Sequence, residues 1–466
     1  MEPEEFDLLV VGGGKAGKSL AMDLAKSGQT VAMVERAMIG GTCINVACIP
    51  TKTIIHSGRV LETVRRAAEF GVAGAENPRM DINLLRHHKE DVVDTMVAGQ
   101  EKLFTRSGMD FILGEAKFVA PKTVEVSLND GGARVLRGTD VVINLGTEPA
   151  LPNIDGLAES NVQTSNTLLH LDELPASLVI LGGGYIGCEF ADLLNTLGVQ
   201  VTVVQRAGQL LPREDADVAE AVAQDFTDAG ITLKLEASAE KIERADDGTV
   251  TVSLSTGESV SAEDVLVALG RRPVTDGIGL EDVGVQLSDQ GIIQVDDRLH
   301  TSADGVWAAG DAAGSPQFTH ASYDDYRILK ANLAAAHGEG QPRSTVGRLI
   351  PYTVFTTPEL GRVGLTERQA RDAGHDVRIA RMPVSAIPRA RTVGQLDGAW
   401  KAVLDRKTGK ILGAALRGVN ASEAIAVLQM AMIGGLDYTA VRDAVITHPT
   451  IAEGLNLLFT PAWLED

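Results

Sequence analysis

Two stretches of this 466-residue chain repeat one pattern, an apolar run followed by a glycine-rich turn and a segment of helical periodicity. The first is FDLLVVGGGKAGKSLAMDLAKSGQTVAMVER, from Phe6, and the second is LVILGGGYIGCEFADLLNTLGVQVTVVQR, from Leu178. Each contains GxGxxG and ends in a second apolar run that closes with a polar residue, as a βαβ unit does. The duplication predicts an α/β chain with two similar nucleotide-binding domains.

The glycines of such a unit let the backbone approach a pyrophosphate at a helix N-terminus, where free N–H groups favour negative charge. At the ribose position, 23 residues after the first glycine, the first unit has Glu35 and the second has Gln205 followed by Arg206. A carboxylate repels a 2′-phosphate, whereas a guanidinium binds one. We therefore predict FAD at the first site and NADPH at the second, with NADH left open. The fingerprint glycines are Gly12, Gly14 and Gly17 in the first unit and Gly182, Gly184 and Gly187 in the second.

The charge and hydropathy of the chain exclude several kinds of partner. With 63 acidic and 42 basic residues the formal charge is −21, and such a surface repels nucleic acid and anionic membranes. No apolar run reaches the roughly 18 residues of a membrane span, and the acidic N-terminal sequence is unlike a basic secretory signal. We expect a cytoplasmic protein, and in that compartment a close cysteine pair indicates redox chemistry rather than a structural disulfide.

Two of the three cysteines, Cys43 and Cys48, lie five residues apart in GGTCINVACIPTK. Metal-binding and thioredoxin-type pairs usually have two residues between their sulfurs, and this pair has four. The third, Cys188, has no partner in sequence and is expected to be a small buried apolar residue. The spacing of the pair therefore calls for a different explanation, and no metal site is predicted.

The order of motifs resembles that of the class I flavoprotein disulfide reductases, the family of glutathione reductase, dihydrolipoamide dehydrogenase and mercuric reductase. The resemblance runs along essentially the whole chain: first fingerprint, cysteine pair, second fingerprint, AAGDAAG and a C-terminal HPTIAE. Within the family, GGGKAGKSLA, CIPTKT, QFTHASYDDYRI and AIPRAR are most similar to the bacterial branch tied to reactive-chlorine and hypothiocyanous-acid defence, some members of which reduce copper(II).

This resemblance implies two Rossmann-like nucleotide-binding domains followed by a C-terminal α+β dimerisation domain. Residues 1–150 and 275–345 are expected to bind FAD, residues 151–274 to bind NAD(P)H, and residues 346–466 to form the subunit interface. The last segment has no fingerprint and alternates strand-like runs with an apolar helix. Further cofactor contacts are expected at Gly41 and Thr42 before the cysteine pair, and at Gly146 and Gly270, each at the end of a predicted strand.

The resemblance also implies roles for the pair: Cys48 accepts electrons beside the flavin, and Cys43 is the interchange thiol that meets the substrate. Because residues i and i+5 of a regular helix are too far apart for a disulfide, one cysteine is expected in an irregular turn that leads into a helix. A helix N-terminus would favour the thiolate of Cys48. Ala47 stands where the family usually has glycine, which could alter the approach of the backbone to the flavin.

Other residues match the family position by position. Lys52 and Glu189 match the ion pair at the reactive edge of the flavin, where a cation stabilises negative charge on the reduced ring. Tyr185 matches the tyrosine that covers the nicotinamide pocket, although a core aromatic is an alternative. Asp311 matches the aspartate that holds the ribityl chain.

The C-terminal HPTIAE supplies an acid–base pair, His448 with Glu453, since histidine alone has an unperturbed pKa near neutrality. In the family this histidine acts on the cysteines of the other subunit, which implies a homodimer with shared sites. Four arginines have weaker assignments, each with surface solvation as the alternative: Arg271 and Arg272 near the second nucleotide, Arg389 and Arg391 at the dimer site.

The acceptor is the least constrained feature. Mercuric reductases carry an additional C-terminal cysteine pair that three cysteines cannot supply, and dihydrolipoamide dehydrogenases favour NAD with an acidic ribose ligand at the second site. A small oxidant such as hypothiocyanous acid, or copper(II), is therefore favoured over a low-molecular-weight disulfide, lipoamide or mercury(II). A redox-sensing flavoprotein that controls a partner is the alternative from another functional class.

Overall fold

Both glycine-rich repeats form parallel sheets in the computed structural model, which describes residues 2–170 and 172–465. Numbered along the chain, the strands are β1 (Glu4–Val11), β2 (Val31–Glu35), β3 (Asp110–Ala120), β4 (Thr123–Leu128), β5 (Ala133–Ile143), β6 (Thr147–Pro149), β7 (Gln163–Thr164), β8 (Ser177–Leu181), β9 (Gln200–Gln205), β10 (Thr232–Leu235), β11 (Ala239–Arg244), β12 (Val250–Leu254), β13 (Ser259–Ala262), β14 (Asp264–Val267), β15 (Arg271–Pro273), β16 (Val306–Ala308), β17 (Tyr352–Val354), β18 (Leu360–Gly364), β19 (Val377–Pro383), β20 (Ala399–Asp405), β21 (Ile411–Arg417) and β22 (Leu464–Glu465).

The α-helices are α1 (Lys15–Lys26), α2 (Thr42–Asn45), α3 (Cys48–Arg65), α4 (Ile82–Ser107), α5 (Tyr185–Thr196), α6 (Ala216–Asp228), α7 (Thr319–Ala336), α8 (Glu367–Asp372), α9 (Pro388–Thr392), α10 (Ala421–Ile433), α11 (Tyr438–Arg442) and α12 (Gly454–Leu458). Short 3₁₀ turns occur at Ala67–Phe70, Thr167–His170, Glu281–Val283, Asp311–Ala313, Val384–Ala386 and Pro461–Trp463. Within the described ranges no helix has both the length and the apolar composition that crossing a bilayer requires.

The first sheet has the parallel strand order β3–β2–β1–β5–β16, and β4 joins the far halves of β3 and β5 as an antiparallel meander. Side chains of a strand alternate between faces, and the apolar run of β1 is buried on both. Leu8 and Val10 pack toward α1, α4 and α7, whereas Leu9 and Val11 pack toward the meander. The start of α1 is thereby placed at the carboxyl edge of the sheet.

The second sheet repeats this plan with the parallel order β10–β9–β8–β14–β7 and a separate antiparallel meander β11–β12–β13. Helix α5 follows β8 as α1 follows β1. Strands β6 and β15 form a short antiparallel pair. β6 follows β5 of the first sheet and β15 follows β14 of the second, so the pair lies where the chain leaves each sheet. The duplicated pattern of the sequence is thus a duplicated fold.

The C-terminal segment is an antiparallel sheet of order β17–β18–β21–β20–β19–β22, with α10 packed on it around the fully buried Trp400. The outer face of α10 exposes apolar side chains, with Met430 62% and Ile433 60% accessible. A mixed α/β fold with two Rossmann-like units and a C-terminal α+β unit is what the sequence predicts, and the fold class is confirmed. The domain limits at residues 150, 274 and 345 stay a prediction.

Buried charges join the second unit to the C-terminal sheet. The Nζ atom of Lys401, a residue only 4% exposed on β20, lies 2.8 Å from Glu367, 3.0 Å from Asp217 and 3.3 Å from Asp215. A buried ammonium needs compensating negative charge, and three carboxylates from two units provide it here. The network fixes the orientation of α6 relative to β20.

Candidate active site

The first fingerprint forms a tight turn from β1 into α1. Gly12 has φ of +100°, and a Cβ atom there would lie 2.5 Å from the carbonyl oxygen of Asn144; a Cβ on Gly17 would lie 2.7 Å from the Gly12 carbonyl oxygen. Glu35, at the end of β2, accepts the N–H of Gly13 through Oε2 at 2.8 Å. The carboxylate is therefore held beside the turn, where a ribose hydroxyl would bind it.

Asn144 is a site residue that the sequence analysis missed. It is 3% exposed at the end of β5; its Oδ1 accepts from Gly17 N at 2.9 Å and its Nδ2 donates to Ala309 O at 2.8 Å. The side chain thus ties the start of α1 to the end of β16. The signal in the sequence that could have identified Asn144 was a polar residue at the end of the apolar run VVIN.

The second fingerprint has the same geometry. Gly182 has φ of +109°, and a Cβ on Gly187 would lie 1.9 Å from the Gly182 carbonyl oxygen. Gln205 Oε1 accepts the N–H of Gly183 at 3.0 Å, as Glu35 does in the first unit. Arg206 is exposed next to it. A Cβ on Gly184 would have no neighbour within 4 Å, so the start of α5 is open to a ligand.

Arg271 does not lie at this second ribose position. Its Nε donates to Thr147 Oγ1 at 2.8 Å and its Nη2 to Thr147 O at 2.7 Å, while Thr147 Oγ1 donates to Asp311 Oδ2 at 2.7 Å. Burial lowers the pKa of Arg271 and raises that of Asp311, and their mutual attraction opposes both shifts. Arg271 is thus part of the Asp311 cluster in the first unit. Arg272 instead pairs at the surface with Glu148 and Asp276.

The residues of the first unit fit a flavin nucleotide. Gly41 has a φ of +76°, and a Cβ atom there would lie 3.0 Å from the Gly13 carbonyl oxygen. Gly41 therefore lies close against the turn from β1 into α1, with glycine on both sides of the contact. Gly146 and Gly270 also have positive φ, and a Cβ on either would meet nothing within 4 Å. At the start of α1 the N–H groups of Ala16 and Gly17 are accepted by Ser322 and Asn144, whereas those of Gly14 and Lys15 have no acceptor within the described ranges and suit a pyrophosphate. The Glu35 carboxylate matches a ribose, and Asp311 matches a polyol chain.

The two cysteines lie on separate helices. Cys43 is on the single turn α2, after Thr42 at its N-terminus, and Cys48 is the first residue of α3. The break lies between them, where Ala47 has φ of −144° and ψ of −104°, outside the helical region. The expected irregular turn is therefore Val46–Ala47, and Cys43 precedes it on a helical turn of its own. Thr319, the first residue of α7, places Oγ1 3.4 Å from Cys48 Sγ.

The environment gives the two thiols opposite acidities. A hydrogen bond with Cys43 lowers the pKa of Cys48 to about 6, against the effect of burial, with help from the Thr319 hydroxyl and the Lys52 charge. The same hydrogen bond, together with burial, raises the pKa of Cys43. When both thiols are reduced, Cys48 is thus the thiolate at neutral pH and Cys43 holds the proton.

Lys52 and Glu189 form an ion pair, as the sequence predicts, with Nζ 2.5 Å from Oε2. Glu189 is 6% exposed, and its Oε1 accepts the N–H of Phe355 at 3.0 Å. The Lys52 ammonium also lies 5.0 Å from the centre of the Phe355 ring. The carboxylate is anchored from α5 and the loop after β17, so it holds the lysine one turn along α3 from Cys48.

Tyr185 belongs to an aromatic cluster at the start of α5. Its ring centre is 5.0 Å from that of Tyr352 and 6.1 Å from that of Phe318, and the last two rings stack at 5.4 Å. Tyr352 donates its hydroxyl to the buried Glu214. The cluster joins the start of α5 to the residue before Thr319, and its members Phe318, which precedes α7, and Tyr352 of β17 could not be inferred from the sequence alone.

His448 is paired with Glu453 through Nδ1 and Oε2 at 2.8 Å. The histidine side chain is 70% exposed and the glutamate 10%, so the second ring nitrogen faces outward. Among residues 2–170 and 172–465, no hydrogen bond or ion pair joins His448 to either cysteine of the same chain. Arg389 and Arg391 lie exposed on α9.

Comparisons with known proteins cover nearly all of this chain. Residues 6–325 match the family described as pyridine nucleotide-disulphide oxidoreductase, and residues 350–458 match its dimerisation domain. The probable pyridine nucleotide-disulfide oxidoreductase RclA of Escherichia coli is 39% identical over 98% of this chain and 99% of its own. Mercuric reductase of Bacillus cereus is 35% identical over 97% of this chain and 71% of its own. Dihydrolipoyl dehydrogenase of Geobacillus stearothermophilus is 34% identical over 96% of this chain and 94% of its own.

A solved structure is similar over the same extent. The Cu(II) complex of HOCl-induced flavoprotein disulfide reductase RclA from Escherichia coli superposes with a TM-score of 0.89 at 38% sequence identity. The match covers 98% of this chain and 99% of that chain. The similarity therefore includes both fingerprints, the cysteine pair and the C-terminal sheet.

Proposed function

Because this chain belongs to the pyridine nucleotide-disulphide oxidoreductase family, we propose that it is an NADPH-dependent enzyme that reduces a small oxidant through Cys43 and Cys48. Membership confirms the resemblance drawn from the motifs, and with it an oxidoreductase that uses a flavin and a pyridine nucleotide. The observation that carries the finer proposal is the opposite acidity of the two thiols: once the disulfide has been reduced, Cys48 is the thiolate and Cys43 is a protonated nucleophile under base control.

We propose hypothiocyanous acid as the acceptor, with copper(II) as the second candidate. The similarity to RclA, a protein described as HOCl-induced and solved with Cu(II), supports this choice over other members of the family. Mercury(II) is disfavoured because Cys188 is the sole remaining thiol of the chain and is fully buried. Lipoamide is disfavoured because Gln205 and Arg206 replace the acidic ribose ligand expected of an NAD enzyme.

Bound FAD would supply the two-electron exchange between the nicotinamide and the disulfide. The residues of the chain supply the thiol chemistry. Deprotonated Cys43 attacks the sulfur of hypothiocyanous acid, and the hydroxide that leaves is protonated to water. The Cys48 thiolate then displaces thiocyanate and re-forms the disulfide. Two electrons pass from the dithiol to the oxidant in this sequence.

His448 is the base that we assign to Cys43. Glu453 holds Nδ1, which orients the ring and leaves Nε2 free to take the thiol proton and return it to the leaving hydroxide. Since this histidine does not meet the cysteines of its own chain, we place it at the cysteine pair of a second subunit in a homodimer. Free thiols with this reactivity require the reducing conditions of the cytoplasm.

The experiment is anaerobic NADPH oxidation by the purified protein with hypothiocyanous acid, copper(II), mercury(II), glutathione disulfide and lipoamide. The highest kcat/KM is expected for hypothiocyanous acid or copper(II). Preference for lipoamide or glutathione disulfide would contradict the proposed acceptor while leaving the family chemistry intact. Negligible turnover with every acceptor, together with redox-dependent capture of a protein partner, would favour the sensor alternative.

A matched variant tests the thiol route. Cys43→Ser is expected to keep FAD and to accept hydride from NADPH, but to lose acceptor reduction, because the remaining thiolate has no interchange partner. Cys188→Ser serves as the control for the loss of a thiol, since Cys188 is fully buried on α5 and donates to Gly183 O at 3.5 Å, a hydrogen bond that a serine hydroxyl can also make. Undiminished turnover by Cys43→Ser would refute the dithiol mechanism.

A further inference from the structure

Lys18 is a buried lysine that the steps above do not use. It lies on α1, four residues after Gly14, and is 4% exposed. Its Nζ donates to the carbonyl oxygen of Gly40 at 2.7 Å, and none of the ion pairs within the described ranges gives this ammonium a carboxylate partner. Burying a cation without a counter-ion is costly. The position therefore indicates that negative charge develops close to it during function.

Cys43 is the group that can develop this charge. Gly40 lies three residues before it, so the Lys18 hydrogen bond is made to the segment that carries the thiol. The Lys18 charge opposes the rise that Cys48 and burial cause in the pKa of Cys43. Burial, together with the Lys15 charge, lowers the pKa of Lys18 to about 8, and a thiolate at Cys43 acts in the opposite direction. Each thiol thus has its own lysine, Lys52 for Cys48 and Lys18 for Cys43.

We propose that Lys18 is the positioning residue of the interchange thiol: its ammonium holds the Gly40–Cys43 segment and stabilises negative charge on Cys43 as this sulfur attacks the acceptor. The inference rests on the proposed function, because it takes Cys43 as the thiol that meets the acceptor. A nearby cation increases the thiolate fraction at a given pH, and the thiolate is the reactive form.

The remaining charges around Lys18 do not replace it. From the helices and strands packed at this point, the titratable or charged groups include Lys15 of α1, Glu35 of β2, Cys48 of α3, Glu101 and Lys102 of α4 and Tyr323 of α7. Glu101 and Lys102 are exposed, the Lys15 ammonium lies 4.6 Å from the Tyr323 ring centre, and Glu35 accepts from backbone N–H groups. The α4 side chain nearest to Gly40 is the neutral Gln100.

A pyrophosphate at the start of α1 is the other group that could compensate the Lys18 charge. The two explanations predict different defects. If Lys18 serves the thiol, neutralising it changes the pH dependence of Cys43 and leaves FAD bound. If it serves the pyrophosphate, the same change releases FAD and leaves the thiol as it was.

The test is alkylation of the NADPH-reduced holoenzyme by iodoacetamide between about pH 6 and about pH 8, with the rate of labelling of the Cys43 peptide followed by mass spectrometry. Because the pKa of Cys43 is raised, only a small fraction of this thiol is ionised in that range, and the rate is proportional to that fraction. In Lys18→Met the rate is expected to fall about tenfold, as a rise of about one unit in the pKa of Cys43 requires. Lys18→Gln, which keeps a donor for Gly40 but not the charge, is expected to show the same fall. Lys18→Arg should restore the wild-type rate, and Lys26→Met, an exposed change on the same helix, is the matched control with an unchanged rate.

Each outcome decides the proposal. An unchanged rate of Cys43 alkylation in either neutral variant that retains FAD overturns it, and loss of FAD from both neutral variants also overturns it by assigning the charge to the nucleotide. The long-wavelength flavin absorbance of the reduced enzyme, which reports the Cys48 thiolate, should persist in Lys18→Met. The proposed function fails separately if Cys43→Ser still reduces the acceptor, whatever the Lys18 variants show.

Discussion

Side chains from distant parts of the chain decide the protonation state of Cys48. The Cys43 thiol donates to it from α2, the Thr319 hydroxyl lies 3.4 Å away on α7, and Lys52 follows one turn along α3. Burial by itself raises the pKa of a thiol, so these neighbours have to outweigh it. The pKa of about 6 that results makes Cys48 a thiolate at neutral pH.

Removing the Lys52 charge tests this account at a single residue. In Lys52→Met we expect the pKa of Cys48 in the reduced enzyme to rise by about one unit, because an opposite charge nearby favours the ionised form. Because the pKa of Cys48 is lowered to about 6, its thiolate is present above that pH and is lost as the pH falls through that value. Long-wavelength flavin absorbance should therefore persist down to about pH 6 in the wild type and vanish at a higher pH in the variant. Lys26→Met, an exposed change on α1, is the control, and coincident titration curves for Lys52→Met and wild type would contradict the prediction.

Arg206 offers a second residue-scale prediction, on nucleotide choice. It is exposed beside Gln205, at the position where a 2′-phosphate would lie. Arg206→Glu is expected to lower kcat/KM for NADPH at least tenfold and to spare NADH, because a carboxylate repels the phosphate. Arg272→Glu is the matched control, since that arginine pairs with Glu148 and Asp276. An unchanged ratio of the two kcat/KM values would remove Arg206 from the NADPH assignment.

At the scale of elements, both nucleotide sites depend on how closely a helix approaches the strand before it. The first turn of α1 packs on β1 at Gly17, and that of α5 packs on β8 at Gly187. A methyl group at either position would overlap a backbone carbonyl group, and that carbonyl cannot move unless the whole turn moves. Because each unit has its own glycine at this contact, each nucleotide site can be disabled without the other.

We therefore predict complementary defects for two alanine variants. Gly17→Ala, with Cβ 2.7 Å from the Gly12 carbonyl oxygen, should yield protein depleted of FAD. Gly187→Ala, with Cβ 1.9 Å from the Gly182 carbonyl oxygen, should keep the flavin spectrum but raise the KM for NADPH at least tenfold. Flavin content and steady-state kinetics measure the two effects. Gly99→Ala on α4, where a Cβ meets nothing within 4 Å, is the control, and a flavin loss in Gly187→Ala would show that the units are not independent.

At the scale of the whole molecule, one chain contains the parts of the site but does not bring them together. Cys43 lies on α2 and Cys48 at the start of α3, whereas the His448–Glu453 pair lies just before α12 in the C-terminal unit. The same unit exposes the apolar face of α10 at Met430 and Ile433, and it matches a dimerisation domain. A second copy would cover this face and could supply the missing base.

Subunit mixing tests the shared site. Cys43→Ser and His448→Gln are each expected to lack acceptor reduction, yet a dimer with one subunit of each has one site with both residues intact. Random mixing should therefore restore about a quarter of the wild-type activity, since half of the dimers are mixed and each has one working site of two. The measurement is NADPH oxidation after the two variants are unfolded and refolded together. A mixture no more active than its components would place the base within one chain.

Features that are local along the chain can be predicted from its residues. Both βαβ units, their glycines, the polar residues at the ribose positions and the cysteine pair could be recognised because helix and strand periodicity and turn geometry repeat at short, regular spacings. The fold class followed from the duplication of these local patterns. The Lys52–Glu189 pair was anticipated only through the resemblance to a family.

Contacts between side chains that are distant in sequence became visible once the chain was folded. Thr319 contacts a cysteine 271 residues earlier, Asn144 links α1 to β16, and Arg271 joins the Asp311 cluster instead of the second ribose position. In the sequence, Lys18 looks like an ordinary residue of a helix. Its burial beside the Cys43 segment depends on how α1, α2 and α4 pack. The physical reason is that periodicity specifies which face of an element is buried, whereas the partner on that face is chosen by the packing of the whole chain.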